Sequence, residues 1–252
     1  CSFCTIPLAR GKSRSQTISE TLRTVQEVSK TEAKEVVLTG VNLGDFGVQN
    51  GENFYDLLIE LDKIDGIDRY RISSIEPNLL EDRIIDFVSK SNKIMPHFHI
   101  PLQSGSNTIL KSMRRKYERE LYADKVHKIK SLMPNCSIGV DVIVGYPGET
   151  DEAFLETYNF IKDLEVSYLH VFPYSERAQT TAAKLKDKVH QYKRNERTEM
   201  LRILSEKKKQ AFYNSQLNTE HFVLFENEEK NGKMYGFTAN YVKVETDYDP
   251  LL

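Results

Sequence analysis

Two thiols open the chain in Cys1-Ser2-Phe3-Cys4. On a loop, a two-residue separation lets both sulfurs converge on one metal centre. The same spacing also serves redox and zinc sites, and two thiols with no joint role are an even alternative on spacing alone. The third cysteine, Cys136, stands between Asn135 and an apolar run with no thiol near it. It reads as a small core residue. His99 is expected to point inward as a satisfied imidazole rather than as a ligand.

Residues of this kind need a frame to hold them. Short β-branched runs alternate with amphipathic stretches over the first two-thirds of the chain. Strands are expected at 35–40, 69–74, 97–102, 137–145 and 168–172, and helices at 54–61, 79–88, 119–133 and 152–164. The run Ser137 to Gly145 is almost continuously apolar, as a strand covered on both faces must be. Repeated strand–helix units imply parallel strands with right-handed crossovers. Chemistry then belongs at the C-terminal strand ends. Those ends carry Gly40-Val41-Asn42, Ser74-Ile75-Glu76-Pro77, Leu102-Gln103-Ser104-Gly105 and Gly145-Tyr146-Pro147-Gly148-Glu149. Glu149 and Thr150 are also placed to cap the helix that follows.

Beyond Pro173 the composition changes. Residues 184–210 are charged and helical, and from about Glu220 the pattern turns strand-like. Asn231-Gly232 between alternating runs is a hairpin turn, with a strand expected from Tyr235 to Val244. The 252 residues carry 35 Lys+Arg against 37 Asp+Glu, so no global field favours a polyanion and any nucleic-acid surface must be local. The tracts Lys111–Tyr117 and Lys207–Lys209 are such local candidates, with a solvated helix face as the plain alternative. Three cysteines form no disulfide framework, which suits a reducing cytoplasm, and no apolar run reaches membrane-spanning length.

These blocks together resemble the radical SAM enzymes, and among them the methylthiotransferases. Cys1 and Cys4 match the second and third cysteines of the family's C-x-x-x-C-x-x-C motif, and Phe3 matches its aromatic. Further matching blocks are Ala9 to Ser15, Leu38 to Gly47, Arg71 to Pro77, His97 to Tyr117, Asp141 to Thr150 and Phe172 to Arg177. The resemblance implies a (β/α)6 barrel whose three thiolates hold a [4Fe-4S] cluster with one iron open to S-adenosylmethionine. Reductive cleavage there yields a 5′-deoxyadenosyl radical. The implied cofactor contacts are Phe3 near the adenine, Thr39, Gly40 and Asn42 toward the methionine amino group, Glu76 toward the ribose, and Gln103 and Asp141 in the barrel mouth. For Glu76 a solvated carboxylate is the alternative, and for Asp141 an internal bridge.

The same resemblance sets expectations for the whole. The barrel and its C-terminal helix should span residues 1–218, and a truncated TRAM-like RNA-binding β-domain residues 219–252. The first cysteine and first barrel strand would precede Cys1. A separate N-terminal domain, absent here, would carry a second [4Fe-4S] cluster that supplies sulfur. The fragment is therefore expected to fold as an open partial barrel without a stable cluster. Thr39 to Asp45 and Tyr174 to Thr180 look most like the branch acting on threonylcarbamoyl-adenosine next to the tRNA anticodon. The isopentenyl-adenosine and ribosomal-protein aspartate branches, a cluster-free RNA-binding barrel and a zinc or redox C-x-x-C protein are the alternatives. A low-potential electron donor and a monomeric state complete the expectation.

Overall fold

The computed structural model describes residues 1–250. Leu251 and Leu252, at the end of the expected β-domain, lie outside the described residues. Five strands run parallel in the order β1 (Glu35–Leu38), β2 (Arg69–Ile72), β3 (His97–His99), β4 (Ser137–Val144) and β5 (Tyr168–Pro173). Single parallel bridges, Tyr70 with Ile94 and Ser74 with His99, join β2 to β3 and make the sheet continuous. Each expected strand–helix unit is present.

The helices are α1 (Ile6–Arg10), α2 (Ile18–Val28), α3 (Phe54–Asp62), α4 (Asp82–Val88), α5 (Asn107–Ser112), α6 (Arg119–Leu132), α7 (Asp151–Asp163) and α8 (Gln191–Ser215). Local signals fix their starts. Thr17 accepts from the Glu20 N–H while the Glu20 carboxylate accepts from the Thr17 N–H, a capping box for α2. Thr150 accepts from the Ala153 N–H and starts α7, as the sequence suggested. Residues 79–81 do not join α4, which begins at Asp82 behind a turn closed by Leu80 N–H on Glu76 O.

Strand alternation divides the sheet into two unlike faces. Tyr70, Ile72, Phe98, Ile100, Ile138, Val140, Val142 and Val144 are buried in the apolar core with the helices. The opposite, inner face carries Arg69, Arg71, His97, His99, Asp141, Tyr168 and His170. Gly139 belongs to that face because a Cβ there would lie 2.5 Å from the Tyr168 ring. The strand β3 is shorter than the expected 97–102: Pro101 lacks an N–H for the ladder, and Gln103 turns the chain with φ +68°.

The C-terminal segment forms an antiparallel meander, β6 (Val223–Phe225), β7 (Lys233–Thr238) and β8 (Lys243–Asp247). Asn231 and Gly232 both have positive φ, as the hairpin turn requires. The expected strand from Tyr235 to Val244 is split in two. Thr238 Oγ1 accepts from the Val242 N–H, and Tyr241 adopts φ +68°, so the chain reverses once more.

The meander seats on the N-terminal end of the sheet. Arg69 donates to Phe237 O and Phe222 O at 3.0 Å. Arg71, 3 % exposed, forks onto Glu35 at 2.9 and 3.0 Å and donates to Ala239 O at 3.1 Å. The Tyr241 ring stacks on Phe237 and lies 4.5 Å from the His97 ring, with Arg71 over it. Phe237 and Tyr241 are therefore part of the junction and are not free to stack on bases.

Candidate active site

The opening loop is tied to the C-terminal strand ends. Ser2 donates its N–H to Met113 O, and its O accepts from the Ala182 N–H. Its hydroxyl meets Tyr146 OH at 2.8 Å. Phe3 sets its edge against the Tyr146 ring at 6.3 Å, and Tyr146 packs on Tyr174. The buried Tyr146 and Ser2 fix the backbone between the two cysteines. Cys1 is left exposed and Cys4 half-buried, both as free thiols.

One guanidinium joins the opening loop to two strand ends. Arg115 Nη1 donates to Cys1 Sγ at 2.8 Å and to Glu76 Oε1 at 3.2 Å. Its Nε donates to Tyr117 OH at 3.0 Å, and Tyr117 OH in turn donates to Pro101 O. The Arg115 side chain is only 5 % exposed. Burial pushes the Tyr117 hydroxyl up to about 12, so it stays protonated as a donor. Composition alone made Lys111–Tyr117 a weak phosphate-binding tract. The structure instead turns Arg115 inward to the cysteine loop. The signal that could have found it was the contrast between a charged run and its apolar flanks, Ile109, Met113 and Tyr117, all buried.

Asn42 acts at the same mouth through the backbone. Its Oδ1 accepts from the N–H groups of Glu76 (3.2 Å) and Gly44 (3.3 Å), and its Nδ2 donates to Asp45. Its Oδ1 clamps the β1 end to the β2 end, while its Nδ2 braces its own loop on Asp45. Thr39 and Gly40 are exposed and line a groove of about 840 Å³ with Arg10, Lys12 and Arg14.

Gln103 and Asp141 are neighbours across the β3–β4 edge. Gln103 donates its N–H to Asp141 O at 2.8 Å and accepts from the Ile143 N–H at 2.9 Å. Gln103 holds φ +68°, and its buried Oε1 has no hydrogen-bond partner among the described residues. Strain and an orphaned acceptor in one residue are what a ligand-binding position shows. Asp141 Oδ1 meets His99 Nε2 at 2.9 Å, so His99 is bonded within the inner face, as its type suggested. His170 sets its ring edge 5.4 Å from His99, and burial holds its imidazole below the usual range.

The remaining candidates are structural. Glu149 is buried and bonds Arg197 at 2.6 Å and the Gly145 N–H at 2.8 Å, locking α8 to the loop after β4. Burial raises its carboxyl above the ordinary range. Lys208 donates to Lys162 O and Leu164 O, which turns its ammonium onto the protein, whereas Lys209 remains exposed in a surface pair with Glu206. Cys136 is fully buried with its thiol pushed up to about 12, an inert core residue as expected.

Known proteins place this site in context. The threonylcarbamoyladenosine tRNA methylthiotransferase MtaB of Bacillus subtilis (strain 168) is 45% identical over 251 residues, 97% of this chain and 55% of that protein. The protein of the same name from Aquifex aeolicus (strain VF5) is 42% identical over 247 residues, 98% of this chain and 59% of its own. The chain thus spans between half and two-thirds of the length of these curated relatives. Among solved structures, the radical S-adenosylmethionine methyltransferase TsrM of Kitasatospora setae superposes with a TM-score of 0.61 at 13% identity. It covers 73% of this chain and 34% of its own, and shows the likeness of fold. The Radical SAM superfamily pattern matches residues 1–161, from the cysteine loop through α7. With the thiol loop, the strand-end polar residues and that match in agreement, the chain belongs to the radical SAM superfamily.

Proposed function

We propose that the chain is the catalytic portion of a tRNA methylthiotransferase that acts on N6-threonylcarbamoyladenosine beside the anticodon. The observation that carries this reading is the match to two relatives of that activity along 97% and 98% of this chain. The five parallel strands are read as the wall of a (β/α)6 barrel, with residues 1–218 as its core. The meander, within 219–252, is read as part of a TRAM-like domain.

The residues fit the cofactors that this reading implies. Cys1 and Cys4 would each supply a thiolate to a [4Fe-4S] cluster, which needs soft anionic ligands. Arg115 would face the carboxylate of S-adenosylmethionine, and Glu76, already paired with Arg115, would accept from the ribose hydroxyls. Gln103 Oε1 has an unused acceptor for a cofactor hydroxyl, and Phe3 offers a ring edge to an adenine. Thr39 and Gly40 would border the bound cofactor, with Asn42 holding their loop and Asp141 at the rim. When bound, the cluster and S-adenosylmethionine supply the one-electron chemistry and the methyl group. The protein orients them: Tyr146, Tyr117 and Asn42 each fix one strand end, so that the polar groups converge without further ordering. The cytoplasm, where tRNA and low-potential electron donors meet, is the proposed location, and the protein is taken as a monomer.

The test is anaerobic reconstitution of the full-length protein with iron and sulfide. Reduced, and given S-adenosylmethionine with tRNA carrying threonylcarbamoyl-adenosine, it should form 5′-deoxyadenosine and the 2-methylthio nucleoside, read by mass spectrometry. Product only on isopentenyl-adenosine would reassign the branch, and absence of 5′-deoxyadenosine would end the radical reading.

A further inference from the structure

Three metal-ligating side chains stand in a row on the inner face: His99 on β3, Asp141 on β4 and His170 on β5. One ligand atom from each lies within 4.8 Å of the other two. The register builds this row. Asp141 is paired directly with His170, and His99 with Gly139, two residues before Asp141 on the same face. Parallel pairing thus delivers one ligand from each of three adjacent strands to a single spot.

The charges at that spot are unbalanced. Asp141 and His99 are only about a fifth exposed, yet no Lys or Arg pairs with the carboxylate among the described residues. Its side-chain bond runs to His99, and among the described residues no hydrogen bond reaches the His170 ring, which is exposed beside it. Gly139 carries no side chain into the space, and a Cβ there would meet the Tyr168 ring. A half-buried carboxylate flanked by two imidazoles, with no cation of its own, is a donor set seeking one.

We infer that His99, Asp141 and His170 form a binding site for a divalent first-row transition cation such as zinc. Two imidazoles and one carboxylate are borderline-hard donors that suit zinc, cobalt or iron(II) better than calcium. Tetrahedral zinc with bonds of about 2.0–2.1 Å keeps its ligand atoms roughly 3.4 Å apart. To reach it, the His99–Asp141 pair, now hydrogen-bonded at 2.9 Å, must open slightly, and the exposed His170 must turn toward both. Three protein ligands leave a coordination position open on the side where His170 is exposed, facing a neutral or anionic oxygen of whatever occupies the inner face.

Cobalt(II) is the probe, because its visible d–d absorption reports ligand number and type. The titration uses the chain carrying Cys1→Ser and Cys4→Ser, purified with chelator and without cluster or S-adenosylmethionine. That background removes thiolate binding and keeps the outcome separate from the cofactor reading, in which Asp141 also figures. One equivalent should bind, with no thiolate charge-transfer band, and zinc should displace it. His170→Ala, at an exposed position, should weaken binding at least about 100-fold, and Asp141→Asn likewise. Circular dichroism confirms that each variant is folded. Absence of visible absorption in the serine background, or unchanged binding in His170→Ala, overturns the site.

Discussion

Arg115 Nη1 lies 2.8 Å from Cys1 Sγ, joining residues 114 positions apart at the mouth of the sheet. The same nitrogen reaches Glu76, so a nearly water-free guanidinium sits between a thiol and a carboxylate. The planar guanidinium serves Cys1 and Glu76 through Nη1 and Tyr117 through Nε in one fixed geometry, which a flexible ammonium does not reproduce. Arg115→Lys should therefore keep the charge and lose the geometry. Affinity for S-adenosylmethionine should fall about tenfold, or roughly 1.4 kcal/mol. Equilibrium dialysis on the reconstituted full-length protein measures this, and an unchanged Kd would remove Arg115 from the cofactor site.

The buried pair of Glu149 and Arg197 yields a second expectation. Arg197→Leu leaves the Glu149 carboxylate buried with only the Gly145 N–H and the backbone around it. An uncompensated charge of this kind costs about 3–5 kcal/mol. Adding Glu149→Gln removes the charge, keeps an acceptor for Gly145, and should recover most of the loss. Urea denaturation of the two variants decides it. If the double variant is no more stable than the single one, packing and not charge holds α8 in place.

His97 couples stability to pH. It is buried, bonds Tyr168 OH at 2.8 Å, and its Nδ1 has no partner among the described residues. Burial first, and then Arg71, depress its imidazole from 6.5 to about 3. The folded form is thus the neutral one. Between those two values the unfolded chain binds a proton that the folded chain refuses. The contribution of His97 is full above pH 6.5 and is lost as pH falls toward 3. Melting temperature should drop with acidification across that window. In His97→Phe the slope should flatten, and an equally steep slope would assign it to other groups.

Tyr241 is the hinge of the docked meander. It stacks on Phe237 and His97, beneath Arg71, and pays for this with a positive φ. It is 37 % exposed, so Tyr241→Ala should cost less than a full core truncation, about 2–3 kcal/mol. The loss should be local. Limited proteolysis should cut first between residues 219 and 250, while the parallel sheet survives. Cleavage spread evenly along the chain would contradict this.

Much of this was legible in the residues. The apolar run Ser137–Val144 and the Asn231-Gly232 pair carry their structure in local chemistry, and each appeared where expected. The position of the strand-end residues was legible because parallel topology gathers them at one end of the sheet. What local pattern could not show was long-range side-chain direction. Arg115 lies in a run of charges that reads as solvated surface, yet it turns inward because Met113 and Tyr117 are buried on either side. Asn42 looked like a ligand contact, but its amide is used between two loops 34 residues apart. The second turn of the meander was hidden because Tyr241 is a residue type that rarely adopts positive φ, and only its stacking compensates. The row of His99, Asp141 and His170 needs the register of three strands, which no single window of sequence contains.

The arginines beneath the meander also set an order of events during synthesis. Arg69 and Arg71 find carbonyl partners 153 to 168 residues further along the chain. At about 5–20 residues per second, those partners leave the ribosome on the order of ten seconds or more after the arginines do. Until then the amino ends of the strands stand wet and uncapped, while the cysteine loop and its strand-end partners can already assemble. A nascent chain would therefore build its chemical mouth before its floor, and its late step would be the closing of the meander over two waiting guanidinium groups.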